Sequence, residues 1–283
     1  MVSCVTHSSR SAVARQRAVR ARNSLASCRL CAHECGVNRL TGERGHCSAS
    51  AEARIFSAQT EVSDELELSP VFAIAFSGCD LRCDFCITGA ESWNANAGES
   101  WSVATITSRA RVALQRGART IMVLGGEPTI HLPTVLELVG HLPDDATLVW
   151  KTNAHESEEA RLLLDGIFDV WVADYKFGND ACAQRLAKVN DYTRVVRENL
   201  AWANAHADLI VRHLVMPGHV ECCWRPVAEW LSSELPLVKV NLRSGFWPAW
   251  RAKRHSELRY AGDDITAAAA LEIAHEHGLM LVD

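Results

Sequence analysis

The amino-acid sequence predicts an α/β fold: a partial, TIM-like (β/α)6 barrel carrying an N-terminal cysteine-rich extension. Three observations lead there. The run Val71-Phe72-Ala73-Ile74-Ala75-Phe76 is continuously apolar, which marks a strand buried on both faces, as in a parallel sheet. After it, strand-like and helix-like segments alternate to the end of the chain. Ahead of it and directly behind it, cysteines fall into two tight groups in stretches without an apolar period.

Residues 1–27 read as a basic N-terminal arm, in which the Ala/Arg run 11–22 is a good helix former. Residues 28–69 form the cysteine-rich, metal-binding extension, polar and acidic after Ser50 with Glu61, Asp64, Glu65 and Glu67. Pro70 opens the barrel, residues 70–283. Behind the strand 71–76, Val103–Gln115 has helical spacing and stops at Gly117, a residue suited to the left-handed position after a helix. Strands are expected at 120–124, 146–150, 168–173, 209–215, 237–242 and 279–282, each a short apolar run. Helices at 132–141, 157–164, 191–206, 224–234 and 266–277 separate them, with Pro143 and Gly166 among the stops. About six βα units fit, two short of a closed eight-fold barrel, and a ligand would sit at the carboxyl ends of the strands.

At 283 residues the chain suffices for one large domain, or for one domain with a small appendage. A net charge of −5 gives no electrostatic reason to expect a nucleic-acid partner. No apolar run approaches the roughly 18 residues of a membrane span, so no membrane partner is expected. Eleven cysteines without a secretory leader pattern point to metal or redox chemistry in a reducing compartment, by default the cytoplasm. The Arg-rich stretch 1–33, acid-free up to Glu34, also fits an organellar transit peptide, which makes an organellar matrix the alternative.

Cys79, Cys83 and Cys86 stand in a C-x3-C-x2-C spacing on the loop behind the first parallel strand. A structural zinc site closes with four ligands. Three thiolates on a four-iron cluster leave one iron open to an outside ligand. The other group, Cys28, Cys31, Cys35 and Cys47, is turned by Gly36, Gly42 and Gly45. So small a knot cannot hold itself by burial, and a structural zinc or an auxiliary iron–sulfur cluster is the expected staple. His33 or His46 could replace a thiolate there. Polar residues follow the later strands: Gly125-Gly126-Glu127, Lys151-Thr152-Asn153, Asp174-Tyr175-Lys176, and Arg212 ahead of Pro217-Gly218-His219. Alternation puts Asp174 and Lys176 on one face. Cys182, Cys222 and Cys223 read as buried thiols, and Trp224, Trp230, Trp247 and Trp250 as core or as an aromatic wall on the substrate side.

The C-x3-C-x2-C loop, with Phe85 before its last cysteine, resembles the signature of the radical S-adenosylmethionine enzymes. The phrase Cys-Gly-Val-Asn-Arg with Gly-Glu-Arg-Gly resembles the N-terminal motif of the pyruvate formate-lyase activating enzyme-like branch. That resemblance implies a 4Fe–4S cluster on Cys79, Cys83 and Cys86 whose open iron chelates S-adenosylmethionine. An electron from an external donor of the flavodoxin or ferredoxin type would cleave the sulfonium to a 5′-deoxyadenosyl radical. By the same resemblance Gly125, Gly126 and Glu127 meet the methionyl ammonium, and Asp174 and Lys176 the ribose and carboxylate. Arg212 matches an Arg-x4-Pro-Gly segment, and Asn153 an Asp-Thr-Asn motif in which Lys151 replaces the acid. The ammonium of Lys151 is then expected to do the work of the family's cation beside the cofactor carboxylate. Hydrogen abstraction from a glycyl-radical enzyme or another protein or peptide is the implied reaction. Modification of a small molecule is the alternative, and a non-catalytic zinc or iron–sulfur protein is the alternative of another class.

Overall fold

The computed structural model describes residues 8–283, so Cys4 and the start of the basic arm lie outside the described residues. One sheet holds eight strands, each beside its neighbour in sequence. β1 (Ile55–Glu61) runs antiparallel to β2 (Val71–Phe76). From β2 onward all pairing is parallel, through β3 (Thr120–Gly125), β4 (Thr147–Thr152), β5 (Val170–Asp174), β6 (Asp208–Leu214), β7 (Lys239–Arg243) and β8 (Met280–Leu281). This is the expected α/β fold with a partial parallel barrel as its core. α1 (Arg10–Ser24) precedes the sheet, and α2 (Gly89–Trp93), α3 (Val103–Gln115), α4 (Leu132–Val139) and α5 (Glu158–Leu164) follow β2, β3 and β4. α6 (Asp180–Ala187), α7 (Tyr192–His206), α8 (Arg225–Glu234) and α9 (Asp264–Glu276) complete the outer layer. Several of these helices start where a side-chain oxygen accepts from a free backbone N–H: Ser102, Ser157, Asn179 and Asp263.

Strand alternation divides the apolar residues between two cores. Val71, Ala73, Met122, Val149, Val170, Val172 and Ile210 pack together inside the barrel. Phe72, Ile74, Phe76, Ile121, Trp150 and Trp171 belong to the larger core shared with the helices. Each large side chain so buried stabilises the fold by roughly 1.5–3 kcal/mol. Because both faces of β2 are covered, its sequence is apolar throughout rather than alternating.

Two differences from the sequence reading matter. β1 lies in the stretch read only as polar and acidic; its pairing register shifts between Ile55 and Ser57, which breaks the period-2 signal. Of the acidic residues after β1, Glu65 enters the barrel and Asp64 lies at its edge. Glu65 is fully buried and accepts a hydrogen bond from Lys151 Nζ at 2.7 Å, and Asp64 receives Arg212 at 2.6 Å and Arg243 at 3.0 Å. α1 for its part packs on α4 with Ala14 and Ala21 fully buried. Arg15 donates to the Gly140 carbonyl at the end of α4, and Arg17 to the Asp165 carbonyl at the end of α5. Cations there face the negative ends of both helices, so Arg15 and Arg17 are built into the fold.

Candidate functional site

The cysteine loop leaves the carboxyl end of β2 and is closed against the end of β3 by backbone contacts. Gly126 N–H donates to the Phe76 carbonyl at 2.8 Å, and Glu127 N–H to the Gly78 carbonyl at 2.9 Å. The two chains approach so closely that a Cβ on Gly125 would stand 2.2 Å from the Phe76 carbonyl oxygen, and one on Gly126 2.0 Å from that of Gly78. Gly125 also has a φ of +142°. The Gly-Gly pair therefore sets where the cysteine loop begins. Cys79 and Cys83 are buried and Cys86 half-buried. Burial pushes the Cys79 thiol well up, helped by Asp80 and Glu127. Burial pushes the Cys83 thiol up to about 12 against the pull of Lys176. Thiols in this state become ligands when a metal centre supplies the compensating positive charge.

Glu127 is itself buried and already has four donors: Thr129 N–H at 3.0 Å, Thr129 Oγ1 at 2.6 Å, Thr152 Oγ1 at 3.1 Å and Asn153 N–H at 2.8 Å. Burial, and then the neighbouring Glu156, raise its pKa well above the ordinary carboxylate range. In this arrangement its carboxylate joins β3 to β4 and holds the segment that carries Asn153. Asn153 Nδ2 donates to Asp80 Oδ1 at 2.7 Å and lies 3.6 Å from Cys79 Sγ. Asp80 is a buried carboxylate that the sequence reading passed over. Burial alone would raise its pKa, but the hydrogen bond and charge of His155, 2.8 Å away, together with Asn153, hold it below the usual range. The only sequence signal for Asp80 was its position between two of the cysteines.

On the other side of the loop, Lys176 pairs with Asp174, as alternation predicts. Burial works against both charges, yet Lys176 and Arg212 lower the Asp174 pKa, while Asp174 and Cys83 raise that of Lys176. Lys176 thus carries positive charge toward the cysteine loop. Arg212 stands 3.9 Å from Asp174 and 3.7 Å from Glu65. Its Nε, the Glu65 Oε1 and the Glu156 Oε2 are buried without a hydrogen-bond partner. Lys151 faces the interior and is held by Glu65 rather than standing free. The structure therefore brings Asp174, Lys176, Arg212 and the cysteine loop together, with Asn153 on the loop's far side.

The N-terminal cysteines sit against this same loop. Ala32 N–H donates to the His155 carbonyl at 2.9 Å, and Arg82 Nη2 to the His46 carbonyl at 2.8 Å. His33 stacks on His46 with centroids 3.9 Å apart and reaches the Asp80 carbonyl at 3.0 Å, so both rings join the two cysteine segments. Cys47 is buried, Cys28 and Cys31 are half-buried, and Cys35 is exposed beside Gly45. Among the described residues, two groups of three or more His, Cys, Asp or Glu have donor atoms all within 4.8 Å of one another: Cys182–His219–Cys222–Cys223 and His33–Asp80–His155. Neither cysteine group read from the sequence is that tight. Four thiolates on one tetrahedral zinc stand about 3.8 Å apart, since each lies ~2.3 Å from the ion. Looser sulfurs suit a cluster, in which each thiolate takes its own iron. The four tryptophans divide: Trp224 is core and half-buried Trp230 packs against that core, whereas Trp247 and Trp250 are exposed, Trp250 covering Gly89 of the cysteine loop.

Comparison with known proteins agrees with this geometry. A family profile described as the radical SAM superfamily matches residues 74–231. The uncharacterized protein MJ0674 of Methanocaldococcus jannaschii is 30% identical over 273 residues, covering 93% of this chain and 78% of the relative. Among solved structures, Streptococcus suis SuiB bound to precursor peptide SuiA superposes with a TM-score of 0.55 at 14% identity, over 72% of this chain and 46% of SuiB. A radical SAM methyltransferase from Sphaerobacter thermophilus gives 0.51 at 15% identity, over 74% of this chain and 65% of the other. The chain thus spans about half the length of SuiB, and these two likenesses are likenesses of fold.

Proposed function

Because the chain belongs to the radical SAM superfamily, we propose that Cys79, Cys83 and Cys86 hold a 4Fe–4S cluster and that the chain uses S-adenosylmethionine to abstract hydrogen from a polypeptide. When bound, the two groups together supply a one-electron cleavage that yields the 5′-deoxyadenosyl radical, with the electron from a flavodoxin- or ferredoxin-type donor. The chain's own residues position and screen. Gly125 and Gly126 fix the start of the loop; Asn153 and His155 hold the Asp80 carboxylate beside Cys79. Lys176 and Arg212 offer positive charge to a carboxylate, and Asp174 offers an acceptor to ribose hydroxyls. Lys151 and Glu127 support this site through Glu65 and Asn153.

The observation that carries the reading is the donor set: two buried and one half-buried cysteine on one loop at the carboxyl end of β2, inside the stretch that matches the radical SAM superfamily. The exposed rim favours a polypeptide over an enclosed small molecule. Ile87, next to Cys86, is 85% exposed, and Trp247, in the segment whose Trp250 covers Gly89 of the same loop, is 69% exposed; exposed apolar side chains of this kind serve contacts with a chain segment. SuiB, whose barrel this one resembles, was solved with a precursor peptide. A glycyl-radical enzyme remains a substrate of this class. The N-terminal Cys28, Cys31, Cys35 and Cys47 would hold an auxiliary iron–sulfur cluster or a structural zinc. Protein reconstituted without oxygen and given dithionite and S-adenosylmethionine is expected to form 5′-deoxyadenosine, and Cys83→Ala to lose at least ~10³-fold of that rate. Unchanged product from Cys83→Ala, or none from the parent with its iron in place, would refute the proposal.

A further inference from the structure

A third cysteine group lies at the same end of the barrel, in residues that the function above does not use. Cys182 is on α6, and His219, Cys222 and Cys223 are on the turn between β6 and α8. Backbone N–H groups of Cys223 and Trp224 both donate to the His219 carbonyl, at 2.9 and 3.2 Å, and close a π-helical turn. That turn puts the ring and both thiols on one side. Asn179 ties the other partner in: its Oδ1 accepts from Cys182 N–H at 2.8 Å and its Nδ2 donates to the Cys222 carbonyl at 2.6 Å. At Gly178 a Cβ would stand 2.3 Å from the Cys223 carbonyl oxygen, so the two segments are in backbone contact.

We propose that Cys182, His219, Cys222 and Cys223 bind one zinc ion in a closed, tetrahedral Cys3His site. The distances fit one ion. Cys182 and Cys223 Sγ each lie 3.9 Å from Cys222 Sγ, and His219 Nδ1 lies 3.6, 3.3 and 3.6 Å from Cys182, Cys222 and Cys223. Ligands at ~2.3 Å for sulfur and ~2.05 Å for nitrogen, at tetrahedral angles, stand about 3.8 Å (S–S) and 3.6 Å (N–S) apart. A set of packed thiols does not account for the arrangement. A neutral imidazole nitrogen accepts a single hydrogen bond, yet three sulfurs surround this one. A divalent cation engages all four lone pairs at once.

The surroundings suit a metal-bound histidine. With Nδ1 on the ion, Nε2 keeps its proton, and Glu257 Oε1, 3.6 Å away, becomes its acceptor once Arg185 Nη2, a donor 3.2 Å from Nε2, turns aside, giving the carboxylate–histidine arrangement that orients such ligands. Arg185 donates to that carboxylate at 2.5 Å, and its other terminal nitrogen stands 3.2 Å from Nε2. There its charge offsets the single excess negative charge of three thiolates around Zn2+. Four protein ligands leave no open position, so the ion is structural: it fastens α6 to the turn after β6, beside the ends of β5 and β6 that carry Asp174 and Arg212.

The experiment uses the full chain, because the N-terminal cysteines could also hold a divalent ion. Purified protein is expected to contain one zinc per chain in addition to iron, with X-ray absorption showing three sulfurs and one nitrogen. Stripped protein titrated with Co2+ alone should give thiolate charge-transfer and tetrahedral d–d bands. Cys222→Ser and Cys182→Ser, both at positions that reach the surface, should each lose one equivalent of that Co2+ and its share of the bands, whereas Cys31→Ser and Cys83→Ala should keep that equivalent. Glu257→Ala should weaken zinc by about 10–100-fold. The Cys3His equivalent retained in Cys222→Ser, the same equivalent lost in Cys31→Ser, or a Cys182–Cys222 disulfide in protein prepared without oxygen would each overturn the site. None of these results depends on S-adenosylmethionine cleavage.

Discussion

The two sulfur centres on the barrel domain are built in opposite ways. Cys79, Cys83 and Cys86 come from one loop, within eight residues of chain. Cys182, His219, Cys222 and Cys223 come from two segments and converge within 4.8 Å. As proposed, the first has three ligands and so leaves a position open, whereas the second has four and closes. Reactivity and rigidity thus stand side by side, and the difference lies in ligand count and spacing, since the sulfur chemistry is the same.

The sharpest way to break that contrast is to ask whether the charged layer beneath the open centre belongs to the cofactor or to the fold. Lys151 Nζ sits 2.7 Å from Glu65, with the carboxylate fully buried and the lysine side chain 12% exposed. Removing one member of a buried pair leaves an uncompensated charge, at a cost of about 3–5 kcal/mol. Lys151→Met should therefore lower stability by about 3 kcal/mol in denaturant unfolding, since Arg212 remains near Glu65. Glu65→Gln in the same chain should recover most of it. A Lys151→Met protein as stable as the parent but weakened in S-adenosylmethionine binding would return the lysine to the cofactor.

The same contrast explains what could be read from the sequence. The parallel strands, most helices and the three-cysteine loop were legible because their signals are local: an apolar run, a helical period, a short spacing. The Asp174–Lys176 pair followed from alternation along one extended segment. Glu65 was invisible as an interior group because its stretch reads as a polar linker. Asp80 was hidden among cysteines that drew attention away from it. The zinc ligands were read as separate thiols and a loop histidine, because nothing in the chain shows that α6 folds back onto the turn after β6. Lys151 reads as a partner for the cofactor carboxylate because Glu65, which it pairs with in the fold, lies 86 positions away.

Two matched glycines sharpen the comparison further. Gly126 meets the Gly78 carbonyl at the open centre and Gly178 meets the Cys223 carbonyl at the closed one, and in both cases the obstacle is backbone, which cannot swing aside. A displacement near 1 Å can cost about 10²-fold in rate. Gly126→Ala should lose about that factor in 5′-deoxyadenosine formation while keeping its zinc. Gly178→Ala should do the reverse, losing Co2+ or zinc first and activity less. If either substitution empties both centres together, they are one cooperative unit rather than two independent ones.

The smallest expected effect separates the two histidines at the end of β6. His219 is proposed as a metal ligand; His213, six residues earlier, is a buried ring whose Nδ1 lies 2.6 Å from the Tyr175 carbonyl and which packs on Trp224. Burial holds its pKa down from 6.5 to about 4. The unfolded chain takes up a proton below pH 6.5 and the folded one does not until about pH 4, so this group's contribution is complete above pH 6.5 and declines between those limits. At pH 5.5 the loss is about 1.4 kcal/mol. His213→Asn, which can still donate to the Tyr175 carbonyl, should unfold more easily at pH 8 yet lose less between pH 7 and 5.5. Zinc content followed in the same samples assigns the slope: a decline that tracks zinc release and persists in His213→Asn belongs to the closed centre, and one that flattens with zinc still bound belongs to His213.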